Sequence, residues 1–590
     1  MADYDVIVIG SGVAGALCAA GLSGDGRKVL VLEAADNGLG AFQREQFRRV
    51  WDPTPGKSWN TPYLKTKGVK NYPSPGPLVP DTNSYFDQPN ASTTTSLKTF
   101  KGYYQRLAGG STWAWRGNTP RMMPNDLRLK SEYFCDGVFP DGANVADWPL
   151  TYDDLKDWYL KAEYELGVSG NADEWDKLTP RDGKPYPMPG QPKTYGDQLL
   201  IRTMDGPLKV ELGGEDLFAE VLTMAQARNS EPFAGRPACE GNHNCIPLCP
   251  TSAKYDATVH LKQALRNGTE VRTGCVVTRL EATSSGVISR VLYKQWNSDN
   301  PQTERTVTGD IVILAANPIE TPKILLHSQL YAPNDPHVGK HLMDHVQGEC
   351  LGLASEPIYP FRGPQTICGI DSLRDGHYRA KFASFRLTLG NDGWGRAGNP
   401  TSVVEELLNP AEPVDFVIGK ALRRSAVDKM TRLVRFGFST EQLPHRENRV
   451  ELSAQTDALG IPRPKITYSV HDYTLEALKE GYRVSKKLFG AMKVTHVGEE
   501  EFDVEEWNTA AHPMGTCRMG KNATDSVTDK YGRCHNHPNL FIVGASVFPT
   551  GSASNPVMTL AALALMTVDK IKSEERTHGG NDLMALGSVH

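Results

Sequence analysis

The chain has 590 residues, and its 64 Lys+Arg against 69 Asp+Glu leave a formal net charge of −5. That balance gives no basic field for nucleic acid and no acidic tail. With 39% apolar and 23% charged residues, disordered and collagen-like chains are excluded as well. At roughly 150 residues per domain the soft expectation is about four domains of a large globular protein.

The first apolar run, residues 6–9, starts too close to Met1 for a basic region and an apolar core to precede it, so no signal peptide is expected. The longest apolar stretch, residues 557–568, is broken by Thr559 and Thr567 and is too short to span a bilayer. Residues 6–9 read as a strand that enters Gly10-x-Gly12-x-x-Gly15, followed by a small-residue helix (16–22) and a second strand (28–32) ending in Glu33. Each glycine has a task. Gly10 permits the tight turn, Gly12 lets the backbone approach a pyrophosphate, and Gly15 allows close packing of helix on strand. The helix N-terminus offers free N–H groups to the phosphates. Glu33 is placed to accept ribose hydroxyls, and an acid there disfavours a 2′-phosphate and suits FAD or NAD.

Residues 37–100 are rich in Pro, Gly, Ser, Thr and Asn and read as an excursion over the nucleotide domain. A helix is predicted over 147–166 with Thr151 as N-cap and Asp153 and Asp154 in its first turn. Residues 170–200 read as a linker. Cys239, Cys245 and Cys249 then crowd into eleven residues and are followed by Pro250, whereas the other seven cysteines are scattered. Three thiolates so spaced suit a soft-metal centre. It could be an iron–sulfur cluster, or a zinc site with His243 as fourth ligand. Plain buried or disulfide cysteines would leave one of the three unpaired.

Residues 269–293 read as strands of a β-meander, and 346–500 mix strands with helices, notably 474–492. Near the far end, residues 540–543 read as a short buried strand. The small-residue loop 544–555, which includes Ala545 and Asn555, lets backbone approach a flat ligand. A helix beginning at Pro556, with Val557 in its first turn, offers a second dipole end. Two nucleotide-facing motifs over 500 residues apart require the chain to leave the cofactor domain and return.

The N-terminal fingerprint, residues 310–328 (DIVILAANPIETPKILLHS), residues 338–345 (VGKHLMDH) and the C-terminal block together resemble the glucose–methanol–choline (GMC) family of FAD oxidoreductases, in that family's order and from end to end. The resemblance implies an α/β fold. Its Rossmann-like FAD-binding domain would be discontinuous in sequence (1–135, 236–345 and 502–575, with an iron–sulfur loop at 236–254). A second, α+β substrate domain on a mostly antiparallel sheet would take 136–235 and 346–501, leaving 576–590 as a tail. In the family pattern, Gly109-Gly110-Ser111 contacts the flavin, and His512 in AAHPMGTCRMG and Asn555 in Ser554-Asn555-Pro556 face the flavin edge. His512 is then the expected base for a hydroxyl proton, and Asn555, which does not titrate, the group that orients the hydroxyl. Some relatives carry the flavin covalently on a His near residue 113, where this chain has Trp113-Ala114-Trp115, so noncovalent FAD is expected.

Residues 242–250 (NHNCIPLCP) resemble one branch of that family, the large subunits of bacterial gluconate, fructose, glucose and glucoside 3-dehydrogenases. That likeness implies a [3Fe–4S] cluster on Cys239, Cys245 and Cys249. The expected activity is oxidation of a hydroxyl of a sugar, sugar acid or glycoside, with electrons passed through the cluster to a cytochrome c or mediator. A pyranose-oxidase-like flavoprotein that reduces O2 to H2O2 is the alternative. No CxxCH haem motif is present, so the cytochrome is expected on a separate chain. The branch also implies a small partner subunit carrying the export signal and hence a periplasmic enzyme, with a cytoplasmic one as the other option.

Overall fold

The segment YDVIVI is apolar along nearly its whole length, the pattern of a strand covered on both faces. The computed structural model describes residues 2–36, 86–88, 96–241, 245–246, 249–391, 407–408 and 417–585. In it Tyr4–Ile9 lies inside a six-stranded sheet, between Gly309–Leu314 and Val29–Leu32, both parallel to it. Glu270–Arg272 extends the sheet beyond Val29–Leu32, and His537–Ile542 extends it beyond Gly309–Leu314, again in parallel. One sheet is thus assembled from residues near 5, 30, 270, 310 and 540, the discontinuity that the two distant motifs require.

The ends of the chain also meet through their helices. Val13–Ser23 packs against the helix Val557–Ala585, and a side chain begun at Gly21 would meet Val568 Cγ1 at 2.9 Å. Gly15 is tighter still: a Cβ there would sit 2.0 Å from the Gly10 carbonyl oxygen. Only glycine lets the helix start this close to the strand that precedes it. The closing helix continues across residue 576, where the sequence reading ends the domain.

The meander is formed by Cys275–Ala282, Ile288–Gln295 and Glu304–Val307, all antiparallel, and its apolar face joins the core of the six-stranded sheet. The predicted helix forms as Tyr152–Leu166, and Thr151 and Asp154 make a reciprocal capping box. Its packing is on the cofactor side. Tyr159 and Leu155 are buried in the cofactor-side core, and the Tyr159 hydroxyl lies 2.9 Å from Thr559 Oγ1 of the closing helix. Part of the presumed linker is also helical, over Tyr195–Met204. The stretch 37–100 lies largely outside the described residues.

The main sheet of the second domain is antiparallel at every pairing. Val346–Ala354 pairs with Leu433–Thr440, which pairs with Phe385–Gly390, and Cys368–Ile370 and Leu222–Thr223 follow outward. The helix Asp472–Ala491 lies on this sheet and buries Leu478, Val484 and Leu488. Two pairings place the chemistry. Val346 and Gln347 pair with Thr509 and Asn508, which brings His345 beside the segment leading to His512. Arg386 pairs with Ser439 in the middle of the sheet, and Asp371 follows directly on the neighbouring strand Cys368–Ile370. Among the described residues no helix is long and apolar enough to cross a membrane.

Candidate active site

The glycine turn and its neighbours form a cavity that suits a dinucleotide. Gly10, Gly12, Glu33, Gly110 and Ser111 line it. No atom lies within 4 Å of where a side chain at Gly12 would begin, so the turn opens directly onto the cavity. Gly12 is the N-cap of Val13–Ser23 and no side chain caps that end, leaving the helix N–H groups to a phosphate. Gly110 approaches so closely that its Cβ would stand 3.1 Å from Gly12 Cα, and the Gly109 N–H donates to Ser11 Oγ at 3.2 Å. The segment 109–111 is therefore fastened to the fingerprint turn. Glu33 is buried, and its carboxylate accepts from Ser11 N–H and Oγ–H and from Ala35 N–H, at 3.0, 2.5 and 2.8 Å. Burial raises its pKa, which those bonds partly oppose. A narrow slot with open amides and a carboxylate at one end fits the nucleotide half of FAD.

Ala545 lies in the turn Ala545–Val547, where its carbonyl accepts from Gly515 N–H at 2.9 Å. The adjoining bonds from Cys517 and Met519 to Ser546 and Val547 hold the segment after His512 against the loop that leads to Asn555. Neither Ala545 nor Val557 lines the nucleotide cavity. Val557 opens the closing helix two residues after Asn555.

This arrangement brings His512 and Asn555 together, with Asn555 Nδ2 3.4 Å from His512 Nε2. Burial, and then the neighbouring His345 and Arg386, hold the His512 pKa well below the usual histidine range, so the imidazole is neutral and able to take a proton. Both side chains keep some exposure, as groups facing a substrate must. Three partners were not assigned from sequence. His345 Nδ1 lies 2.9 Å from His512 Nδ1, and Arg386 donates to the Asn555 side-chain oxygen. Asp344 accepts from the backbone N–H groups of both His345 and His512 at 2.7 Å and from Thr509 Oγ1 at 2.6 Å. The motif VGKHLMDH contains Asp344 and His345 and was the available signal. Arg386 sits in a strand with no motif around it.

Burial raises the Asp344 pKa to about 7, although all three hydrogen bonds oppose the shift. Folding therefore favours its protonated form. The stability it contributes is full below the ordinary carboxylate range near pH 4 and is lost as pH rises toward about 7. In Asp344→Asn the amide oxygen can take both N–H groups while its NH2 donates to Thr509, so the variant should fold and lack that loss. Melting temperatures of both proteins at pH 5 and pH 8 test this, and an equal drop in both would refute it.

The cysteine trio has its own set of partners. Cys245 is buried and its Sγ accepts from Arg228 Nη1 at 3.0 Å; the Gly241 N–H donates to Cys239 Sγ at 3.4 Å. Burial raises the Cys239 thiol, Arg228 opposes, and Cys245 and Cys249 add to the rise, so the three sulfurs act on one another. Burial also pushes Cys249 up, but bonds from Thr251 and Lys254 and the Lys254 charge outweigh it and leave the thiol below its ordinary value. Lys254 Nζ donates to the carbonyls of Cys245, Trp113 and Trp115 at 2.6 to 2.7 Å, tying the cysteine loop to the segment that follows Gly109-Gly110-Ser111. The donor chemistry fits an anionic sulfur cluster. Yet among the described residues no three ligating side chains converge closely enough to hold a metal ion. His243 lies outside the described residues.

Known proteins resemble this chain along nearly its whole length. Signatures of the GMC oxidoreductases match residues 213–347 and 444–564, and that of an NAD(P)-binding Rossmann-like domain matches 8–53. The chain is 31% identical over 588 residues to the fructose dehydrogenase large subunit of Gluconobacter japonicus, covering 97% of this chain and 98% of that one. It is 26% identical to the 6'''-hydroxyparomomycin C oxidase of Streptomyces lividus, covering 97% and 91%. The fold matches the crystal structure of pyridoxine 4-oxidase from Mesorbium loti with a TM-score of 0.58 at 18% identity, over 96% and 98% of the two chains. With the fructose dehydrogenase large subunit matched over nearly the whole of both chains and both GMC signatures present, the chain belongs to the GMC oxidoreductase family and is an FAD-dependent oxidoreductase.

Proposed function

We propose that the protein is a dehydrogenase that oxidises a hydroxyl of a sugar, sugar acid or glycoside to a carbonyl. The observation that carries this reading is the pairing of a neutral, half-buried His512 with Asn555 at 3.4 Å. Asn555 holds the hydroxyl oxygen, and His512 takes the hydroxyl proton. Bound FAD supplies the two-electron acceptor for the hydride released by the carbon. Gly10, Gly12, Gly15, Glu33, Gly109, Gly110, Ser111, Ala545, Asn555 and Val557 are the positions we assign to holding it, noncovalently. The sugar-class substrate is supported by the relative named fructose dehydrogenase.

Cys239, Cys245 and Cys249 are proposed to hold a [3Fe–4S] cluster, which would supply a one-electron acceptor. Arg228 supports this assignment. Its guanidinium is buried against Cys245 Sγ, the Gln365 and Thr366 carbonyls and Gln226 Oε1, none of them a carboxylate. A buried cation is costly without a counter-charge, and thiolates bound in a cluster provide one. The final acceptor is then a cytochrome c or mediator. A relative named as a large subunit supports a small partner subunit, and we propose co-export with it to the periplasm. We take 1–135, 236–345 and 502–575 as the FAD-binding unit and 136–235 with 346–501 as the substrate unit, apart from the helix Tyr152–Leu166.

The relative named as an oxidase favours a second reading, in which O2 accepts the electrons and H2O2 forms. Iron and acid-labile sulfide analysis with low-temperature EPR, before and after a panel of sugars, separates the two. A cluster signal that changes with one sugar is expected. FAD without iron, together with peroxide release, would establish the oxidase instead.

A further inference from the structure

We infer that His345 is a positioning residue that sets the tautomer of His512, and that Arg386 likewise sets the orientation of the Asn555 amide. A hydroxyl between them then meets one proton acceptor and one proton donor. The inference deepens the reading of His512 as base and rests on it.

The hydrogen-bonded chain has two ends of fixed polarity. On one side His345 Nε2 lies 2.8 Å from the Ser552 carbonyl oxygen, which can only accept. His345 Nε2 therefore carries a proton. Burial holds the His345 pKa down to about 4 and His512 well below its ordinary value, so near neutral pH each ring has a single N–H. His345 Nδ1 is then a bare lone pair. At 2.9 Å, with the rings perpendicular, it must accept from His512 Nδ1–H. His512 Nε2 is left without a proton, and it is the nitrogen that faces Asn555. On the other side the Arg386 guanidinium can only donate. It donates to the Asn555 oxygen and is itself held by Asp371 Oδ2 at 2.8 Å. The Asn555 NH2 group is thereby turned toward His512 Nε2.

Neither end can reverse. A flipped His512 tautomer would point Nε2–H at the Asn555 NH2, donor against donor, and would offer no lone pair to the hydroxyl proton. Asp344 keeps the pair in register by binding the backbone N–H of both histidines. From Arg386 through Asn555, His512 and His345 to the Ser552 carbonyl each group donates to the next, and at its other end Arg386 is anchored by donating to Asp371.

The test is made on the FAD-loaded enzyme labelled with 15N in the histidine rings. The His512 and His345 signals are assigned by their loss in His512→Ala and His345→Gln. The expected result is His512 protonated at Nδ1 and His345 at Nε2. His512 protonated at Nε2, or on both nitrogens near pH 7, would overturn the inference. A kinetic comparison adds a second reading. In His345→Gln the amide oxygen can accept from His512 and the amide NH2 can donate to Ser552, preserving the polarity, whereas His345→Leu removes it. Flavin reduction by substrate should stay within about tenfold for Gln and fall by roughly 10²-fold or more for Leu, with KM little changed; a wrong histidine tautomer can cost as much as 10⁴. Equal losses in Gln and Leu would mean that His345 only fills space. Should the Leu variant not fold, the ring-nitrogen signals of the wild type and His345→Gln decide. Unimpaired flavin reduction in His512→Ala would count against the base assignment, and the nitrogen signals would still read the tautomer separately.

Discussion

Replacing His512 by alanine should slow reduction of the bound flavin by substrate by about 10²–10⁴-fold, the range for loss of a positioned general base. In free energy that is roughly 3–5 kcal/mol of barrier. The side chain leads into the site, while the backbone around it is held independently. The His512 N–H donates to Asp344, Ala510 N–H donates to the His345 carbonyl, and Met514 N–H donates to that of Met343. FAD content and melting temperature should therefore stay near those of the wild type. Stopped-flow absorbance of the flavin, with saturating substrate and no external acceptor, isolates the affected step. A variant reduced at the wild-type rate would show that another group takes the proton, and a variant that lost its FAD would show that His512 holds the fold rather than the reaction. Loss confined to the reduction rate is the signature of a base.

Much of this site can be read in the chain, and the rest is hidden for physical reasons. Gly10, Gly12 and Gly15 are legible because backbone approach to a phosphate tolerates no side chain, and the spacing follows from one strand–turn–helix unit. Thr151 as N-cap is legible because capping is local. His512 and Asn555 are legible only through family resemblance, since 43 residues separate them and no spacing rule joins a loop to a helix start. Arg386 was not legible at all. It reaches Asn555 through the pairing of strands in the second sheet, and such long-range register leaves no trace around a single arginine. The packing partner of the helix near 152 was hidden in the same way. Tyr152–Leu166 has an apolar face that fits either sheet, and only the contact of Tyr159 with Thr559 of the closing helix assigns it to the cofactor side.

The largest effect expected away from the hydride centre is that of Cys245→Ser. Serine is nearly isosteric, but its hydroxyl is a hard ligand, and a soft-metal cluster prefers thiolate. The variant should lose most of its iron and slow turnover with cytochrome c by at least about 10–100-fold, the range for removing even an outer partner of a metal centre. Flavin reduction by substrate should remain near the wild-type rate, because no bond on Cys245 reaches His512 or Asn555; its neighbours are Arg228 and Lys254. The contrast between the two assays carries the weight. A fall in both would mean that the cysteine loop supports the flavin segment, for which the Lys254 bonds to Trp113 and Trp115 offer a route. A fall in neither, with iron absent from the wild type, would leave Cys245 as a buried thiol satisfied by Arg228. Electrons would then have to leave the flavin without a relay, and peroxide release in air becomes the quantity to measure.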